Sequence, residues 1–170
     1  MVTKQRITPC LWFDGQAEDA ARYYTGIFKN SKITATTRFS EVGFEQHHRP
    51  AGSVMTVAFD LDGQSFTALN GGPQFKFNEA ISFQVNCENQ EEIDYYWDRL
   101  SAGGDPNAQQ CGWLKDKFGL SWQVVPRIMD ELFKNENSEK AHRAMEAMLK
   151  MKKIDIAELR RATQGATAAK

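Results

Sequence analysis

Cysteine and histidine, the side chains that most often carry chemistry, are few and widely separated in this chain of 170 residues. The three cysteines are Cys10, Cys87 and Cys111. They show no CxxC motif and no Cys/His spacing typical of a zinc site. No neighbouring base or helix N-terminus that would activate a thiolate is visible either. We therefore expect reduced thiols and a cytoplasmic location.

Two of the three histidines, His47 and His48, are adjacent within the polar stretch 40–52. Adjacent side chains in an extended segment diverge, so one chain would not bind a metal ion through both of them. The pattern favours a solvated loop. The alternative is a loop that closes over a site and supplies one imidazole as an acid or a base.

Uncharged polar side chains recur at alternate positions in two predicted strands of the second half of the chain. Ser82 and Gln84 lie in the first of these strands, and Ser121 and Gln123 lie in the last. Alternate residues of a strand share one face, so Trp122 faces away from Gln123. If Gln123 faces a site, these four residues form a polar wall. Such a wall would hydrogen-bond a neutral or anionic small molecule.

The strands and helices that must position these residues follow the same predicted order in both halves of the chain. Residues 7–28 and residues 80–100 each indicate a strand followed by an amphipathic helix, and each segment continues into further strands. The repeat predicts two βαβββ units, residues 5–72 and 78–126. We expect them to form one α+β domain over residues 5–126, in which paired half-sheets enclose a cup.

Turn residues mark the ends of these elements. Asp62-Gly63 is the strongest hairpin signal, because a type I′ turn needs positive φ at both central residues. Asp116 and Lys117 fall in a second turn, where we expect their charges to face solvent. Asp14 is expected to cap the turn before the first helix.

The C-terminal part of the chain has a different pattern. Apolar residues at helical spacing predict a helical extension over residues 127–162. Residues 163–170 are expected to form a frayed tail.

The composition is that of an ordinary globular protein, with 41% apolar residues, 25% charged residues and a formal net charge of −1. A net charge this small gives no general attraction to nucleic acid or to an acidic membrane surface. The chain has no apolar run of 18 residues and no signal-peptide pattern. We therefore expect neither nucleic acid nor membrane as a partner.

Five stretches within residues 5–162 carry a resemblance to a known family: LWFDGQAEDAARYYTGIF, LDGQSFTALNGG, AISFQVNCENQEEIDYYWDRL, CGWLKDKFGLSWQVVP and MLKMKKIDIAEL. In these stretches the chain resembles the PhnB-like proteins, many of which carry the label 3-demethylubiquinone methyltransferase. These proteins belong to the vicinal-oxygen-chelate superfamily, with glyoxalase I, bleomycin-resistance proteins and extradiol dioxygenases. The resemblance implies a cup-shaped mixed sheet and a homodimer.

Metal-using members of this superfamily place His and Glu ligands on the first and last strands of each unit. By this resemblance, Gln123 occupies the position of the last-strand Glu of the second unit. The first-strand His would fall within residues 80–84, and the zones of the first unit are residues 8–10 and 67–70. None of these positions holds His or Glu. We expect no conventional metal site and no cofactor, and a divalent metal is the alternative.

These observations predict a protein that binds an unidentified small molecule without a metal. The predicted cup wall consists of Cys10, Thr67, Ser82, Gln84, Ser121 and Gln123. The alternative is a metal-dependent isomerase, lyase or dioxygenase of the same superfamily. Methyl transfer is not expected, because no glycine-rich loop joins a strand to a helix in an alternating parallel α/β pattern.

Overall fold

The computed structural model describes residues 5–135 and 138–164. It divides the chain into two compact units, and the boundary between them falls between Phe77 and Asn78. Each unit combines a mixed β-sheet with helices, which confirms the predicted α+β class.

The first unit is a complete βαβββ unit with a short additional helix. Its elements are β1 (Cys10–Phe13), α1 (Ala17–Ile27), β2 (Lys32–Arg38), α2 (Phe44–His47), β3 (Val54–Leu61) and β4 (Gln64–Asn70). The sheet order is β1-β4-β3-β2; β1 is parallel to β4, and the other neighbours are antiparallel. The predicted hairpin joins β3 to β4. Its central residues Asp62 and Gly63 have φ angles of 46° and 83°, as a type I′ turn requires.

Helix α1 covers one face of this sheet. Its predicted apolar stripe is buried, with Ala17, Ala20, Ala21 and Tyr24 fully inaccessible to solvent. The ring of Phe59 from β3 stacks with Tyr24 at a centroid distance of 6.3 Å. The opposite sheet face is only partly covered, since the alternate residues of β3 and β4 remain half-buried.

The start of α1 is stabilised by Asn70 and not by Asp14, which corrects the predicted cap. The Asn70 side chain accepts a hydrogen bond from the Ala17 amide at 2.9 Å and donates one to the Val54 carbonyl at 3.0 Å. Asp14 instead forms an ion pair with Arg49 at 2.6 Å. Asn70 therefore ties the helix to the end of the strand on which it packs.

The second unit contains three strands followed by a group of helices. Its elements are β5 (Ser82–Cys87), α3 (Gln90–Ser101), a 3₁₀ turn (Pro106–Ala108), β6 (Trp113–Lys115), β7 (Ser121–Pro126), α4 (Ile128–Leu132), α5 (Glu139–Met148) and α6 (Ile156–Gln164). The sheet order is β5-β7-β6, with β5 parallel to β7.

This unit has one strand fewer than the predicted βαβββ pattern. In the chain segment that corresponds to β2, the 3₁₀ turn begins at Pro106, and Cys111 and Gly112 have positive φ angles of 52° and 84°. These angles are incompatible with an extended strand. The strand that follows is accordingly short, and β6 begins only at Trp113.

The core of the second unit lies between α3 and one sheet face. Ile93, Trp97 and Leu100 of α3 are buried there, as their helical spacing predicts. Val124 and Leu114 are among the buried strand residues that complete this core. Helix α3 has a conventional start, because the Asn89 side chain accepts a hydrogen bond from the Glu92 amide at 2.9 Å.

Asp116 is buried, and the expectation that its charge faces solvent is wrong. Its relative exposure is 2%. One carboxylate oxygen accepts hydrogen bonds from the Phe118 and Leu120 amides at 2.8 and 3.1 Å. The other oxygen accepts one from the indole N–H of Trp122 at 2.9 Å. The carboxylate therefore closes the turn between β6 and β7 and fixes the Trp122 side chain in the core.

The C-terminal helices belong to the second unit. The amides of Cys111 and Gly112 donate hydrogen bonds to the Met151 and Lys152 carbonyls, both at 2.8 Å. The Gln90 side chain donates to the Ile154 carbonyl at 3.1 Å and accepts from the Ile156 amide at 2.9 Å.

Helix α6 continues to Gln164, so the first two residues of the predicted frayed tail, 163 and 164, are helical. Residues 165–170 lie outside the described residues. Over residues 5–135 and 138–164, no helix has the length and apolarity needed to cross a membrane.

We expect Asp116→Ala to lower the free energy of unfolding by about 3–5 kcal/mol, because it leaves three donors without a partner. Asp116→Asn should cost about 2 kcal/mol, since an amide keeps an acceptor for the turn but faces the Trp122 indole with a donor. Urea denaturation measures both values. Asp130→Ala, on α4, is the control and should change stability by less than about 0.5 kcal/mol. Equal losses for Asp116→Ala and Asp130→Ala would contradict this role of Asp116.

Candidate functional site

One face of the second sheet carries the predicted polar residues of this unit. Strands β5 and β7 are paired so that Ser82 lies beside Ser121 and Gln84 lies beside Gln123. Paired residues of neighbouring strands point to the same side of a sheet. The structure therefore brings these four residues together, and we call the surface that they form the polar face.

The edge strand β6 adds two side chains to the polar face. Trp113 lies opposite Gln123, and Lys115 lies opposite Ser121. The reverse side of the sheet faces α3 and is apolar, with Trp122 and Leu114 almost fully buried. The opposite orientations of Trp122 and Gln123 agree with the alternation read from the sequence.

Neutral hydrogen bonds order part of the polar face. The Gln123 amide donates to the Ser82 hydroxyl at 2.8 Å, and the Gln84 amide donates to the Gln123 carbonyl oxygen at 3.3 Å. These contacts limit the rotamers of the three side chains. The polar face thus presents amide and hydroxyl groups in a fixed arrangement, and neither β5 nor β7 directs a titratable side chain to this face.

Ser121 differs from its neighbours because its hydroxyl makes no hydrogen bond. The residue is 1% exposed, and its Oγ is the one buried side-chain polar atom without a partner among residues 5–135 and 138–164. Leaving a buried hydroxyl unpaired costs about 1–3 kcal/mol. Ser121 is among the residues that line a cavity of about 410 Å³ beside β6, and its hydroxyl is enclosed by the surrounding side chains.

An ion pair stands at the same cavity. Both Lys115 and Glu79 line it, and the Lys115 ammonium is bonded to the Glu79 carboxylate. This hydrogen bond holds the pKa of Glu79 below its ordinary value, which favours the charged carboxylate. The Lys115 side chain is 24% exposed and that of Glu79 is 63% exposed. The carboxylate is therefore the more exposed partner.

The sequence-based site omitted Lys115 and Glu79. A signal for Lys115 was present, because the β6–β7 turn is short and antiparallel pairing across it places Lys115 opposite Ser121. No comparable signal identified Glu79, which lies in a turn before β5. Its approach to Lys115 depends on the path of the chain between elements.

Cys10 and Thr67 are neighbours in the first unit. They are paired between the parallel strands β1 and β4, on the sheet face directed away from α1. Partial burial raises the pKa of the Cys10 thiol, so the reactive thiolate is scarce at neutral pH. This position suits a packing or hydrogen-bonding residue better than a nucleophile. A shared cup that joins Cys10 and Thr67 to the polar face remains a prediction.

His47 is the last residue of the short helix α2, and its ring orders the chain on both sides of this helix. Its Nδ1 accepts a hydrogen bond from the Arg49 amide at 3.0 Å, so in the neutral ring Nε2 carries the proton and donates to the Val42 carbonyl at 3.3 Å. The ring also packs against Phe39 at 4.6 Å. His48 is exposed, with φ of 52°. Local contacts account for His47 without any catalytic role.

The residues at the polar face do not fit a conventional divalent-metal site. Its donors on β5 and β7 are hydroxyls and carboxamides, whereas zinc, manganese and iron sites use imidazoles, carboxylates and thiolates. Within the part of the chain that the structure describes, no three His, Cys, Asp or Glu side chains converge as metal ligands.

The arrangement of strands and helices identifies the fold class of the protein. Two α+β units with mixed sheets, each with parallel first and last strands, are typical of the glyoxalase/bleomycin-resistance fold. A solved structure of the fosfomycin resistance protein FosX from Listeria monocytogenes, complexed with Mn(II) and sulfate, has this fold. It is 14% identical to the chain, with a TM-score of 0.53, and the match covers 81% of this chain and 100% of FosX.

A more similar structure is the PhnB protein from Bacillus cereus, described as a 3-demethylubiquinone-9 3-methyltransferase. It is 36% identical, with a TM-score of 0.61, and the match covers 72% of this chain and 99% of that protein. The family described as 3-demethylubiquinone-9 3-methyltransferase matches residues 5–125. The chain belongs to this PhnB-like family, within the vicinal-oxygen-chelate superfamily. None of the curated proteins matches the chain.

We expect Ser121→Ala to raise the free energy of unfolding by about 1 kcal/mol, because it removes an unpaired buried hydroxyl. Ser82→Ala is the matched control and should lower it by about 1 kcal/mol, since Ser82 accepts a hydrogen bond from Gln123. Urea denaturation compares the two. Destabilisation by Ser121→Ala of the same size as by Ser82→Ala would show that the Ser121 hydroxyl has a partner.

Cys87 is expected to resist alkylation in the folded protein. Burial, followed by the charges of Glu92 and Glu88, raises the pKa of this thiol from 9.0 to about 12. Iodoacetamide at pH 8 should therefore modify exposed Cys10 and leave Cys87 intact, as mass spectrometry of peptides would show.

The same shift makes stability depend on pH. The unfolded thiol ionises near pH 9 and the folded thiol does not, so this contribution to stability is lost as pH rises from about 9 towards 12. The loss should be smaller in Cys87→Ala. Rapid native alkylation of Cys87, or the same decline in both proteins, would contradict its burial as a neutral thiol.

Proposed function

We propose that this PhnB-like protein binds a small molecule on the polar face of its second unit, without a bound metal. The unpaired Ser121 hydroxyl is the observation that carries the proposal. Native proteins rarely leave such a group buried and unsatisfied, because a hydrogen bond is lost without compensation. A ligand in the adjacent cavity would supply the missing bond.

The chemistry of the polar face suggests what it recognises. Ser82, Gln84 and Gln123 offer hydroxyl and amide groups that donate and accept hydrogen bonds but do not ionise near neutral pH. Such groups orient a ligand and discriminate by shape and hydrogen bonding. The proposal is therefore binding or sequestration, and it assigns no general acid or base.

The alternative within the superfamily is a metal-dependent isomerase, lyase or dioxygenase. The Mn(II) ion in FosX belongs to a protein that is 14% identical to this chain, and that likeness extends to the fold alone. Gln123 is a poor replacement for a carboxylate ligand. The family description names methyl transfer, but no residue at the polar face has a part specific to that reaction. The hydroxyl and amide groups of the polar face therefore favour neither metal-dependent catalysis nor methyl transfer.

Side-chain amide signals provide a direct test. We would record ¹H–¹⁵N spectra of protein dialysed against EDTA, with a set of small amides, alcohols and carboxylates as probes. Binding should shift the side-chain NH₂ signals of Gln84 and Gln123 in a saturable manner. Gln123→Leu should weaken the affinity of a bound probe about tenfold or more, since it removes both hydrogen-bonding groups.

Gln164→Leu makes the same substitution at an exposed position at the end of α6 and serves as the control, with unchanged affinity expected. The proposal fails if no probe shifts the Gln84 and Gln123 signals. It also fails if binding occurs only after zinc or manganese is added, because the metal-dependent alternative would then hold.

A further inference from the structure

We propose that the cavity beside β6 is a carboxylate-binding subsite, in which the carboxylate of a small organic acid replaces Glu79 on Lys115 and accepts a hydrogen bond from Ser121. This inference rests on the proposed binding function and names the class of ligand. In the absence of a ligand, the Glu79 carboxylate occupies the subsite. A ligand carboxylate competes with it for the ammonium group of Lys115.

The first argument is the juxtaposition of Lys115 and Ser121. These residues are direct partners in the antiparallel pair of β6 and β7, so their side chains leave the sheet on the same side. Paired Cβ atoms in such strands lie about 4.5–5.5 Å apart. A carboxylate has two oxygens and can accept one bond from the ammonium and one from the hydroxyl. The unpaired Ser121 hydroxyl is thus placed beside a fixed positive charge.

The second argument is the exchangeability of Glu79. Its side chain is 63% exposed and lies in a turn before β5, whereas Lys115 is only 24% exposed and lies in a strand. An ion pair whose acid is this exposed contributes little to stability, so its separation is not prohibitive. When Glu79 leaves, the cavity keeps one positive charge from Lys115. An anionic ligand restores neutrality.

The third argument concerns the rest of the ligand. Trp113 lines the same cavity and offers an aromatic surface, and Asn107 and Gln110 offer amide groups. A volume of about 410 Å³ lies within the range of small-molecule sites. The lining therefore suits an organic acid with a flat apolar portion and few additional polar groups.

Benzoate is the probe for this subsite, and benzamide is its neutral counterpart of the same shape. The affinity is measured by NMR titration, with the indole N–H signal of Trp113 identified by its loss in Trp113→Phe. Benzoate should shift this signal and bind at least about tenfold more tightly than benzamide, since only benzoate satisfies the ammonium.

Substitutions at Glu79 and Lys115 should act in opposite directions. Glu79→Gln removes the competing carboxylate and should tighten benzoate binding about three- to fivefold. Lys115→Gln should weaken it about tenfold or more, and thermal unfolding would establish that this variant is folded. Glu88→Gln is the matched control: it breaks the ion pair with Arg127, whose partners are 61% and 63% exposed, and should leave benzoate affinity unchanged.

Unchanged benzoate affinity in Glu79→Gln and in Lys115→Gln would overturn the subsite. Phenyl phosphate binding about tenfold more tightly than benzoate would overturn the carboxylate assignment. These failures are distinguishable from failure of the proposed function. If neutral probes still shift the Gln84 and Gln123 signals, the polar face remains a binding surface although the subsite is wrong. If no probe shifts these signals, the proposed binding function is wrong as well.

Discussion

The buried carboxylate of Asp116 is the interaction on which the second unit depends. Three donors converge on it, two from the turn backbone and one from the indole of Trp122. A buried charge of this kind is tolerated only when its hydrogen bonds are complete, so the turn has little freedom to adopt another geometry. Because Trp122 is one of the donors, the same group couples the turn to the core beneath α3.

The consequence is a fixed register between β6 and β7. Since side chains alternate along a strand, a slip of one residue would move Lys115 and Trp113 to the face that packs on α3. The C-terminal extension fixes the chain before β6, because the carbonyls of Met151 and Lys152 accept hydrogen bonds from the amides of Cys111 and Gly112. Gly112 has φ of 84°, and a Cβ there would lie 2.9 Å from the Val124 carbonyl oxygen. Only glycine suits this close approach.

Much of this architecture is readable from the sequence, because periodicity and turn chemistry act locally. The burial of Tyr24 and the positive φ angles at Asp62-Gly63 follow directly from such signals. Alternation also places Gln123 and Trp122 on opposite faces. Residue type fails where the direction of a side chain decides the outcome. Asp116 has the sequence pattern of an exposed turn residue, although its donors lie only two, four and six residues further along the chain. Nothing in the residue type shows that the carboxylate turns inward onto them.

The same limit applies to the candidate site. Ser82, Gln84, Ser121 and Gln123 could be grouped because strand alternation is local and one pairing suffices. Their differing states could not be predicted, since three of them hydrogen-bond to each other and Ser121 is left out. That asymmetry has a physical meaning. A surface whose polar groups all satisfied one another would gain little by binding a polar ligand, whereas an unpaired hydroxyl beside an exchangeable ion pair gains a bond that the folded chain lacks.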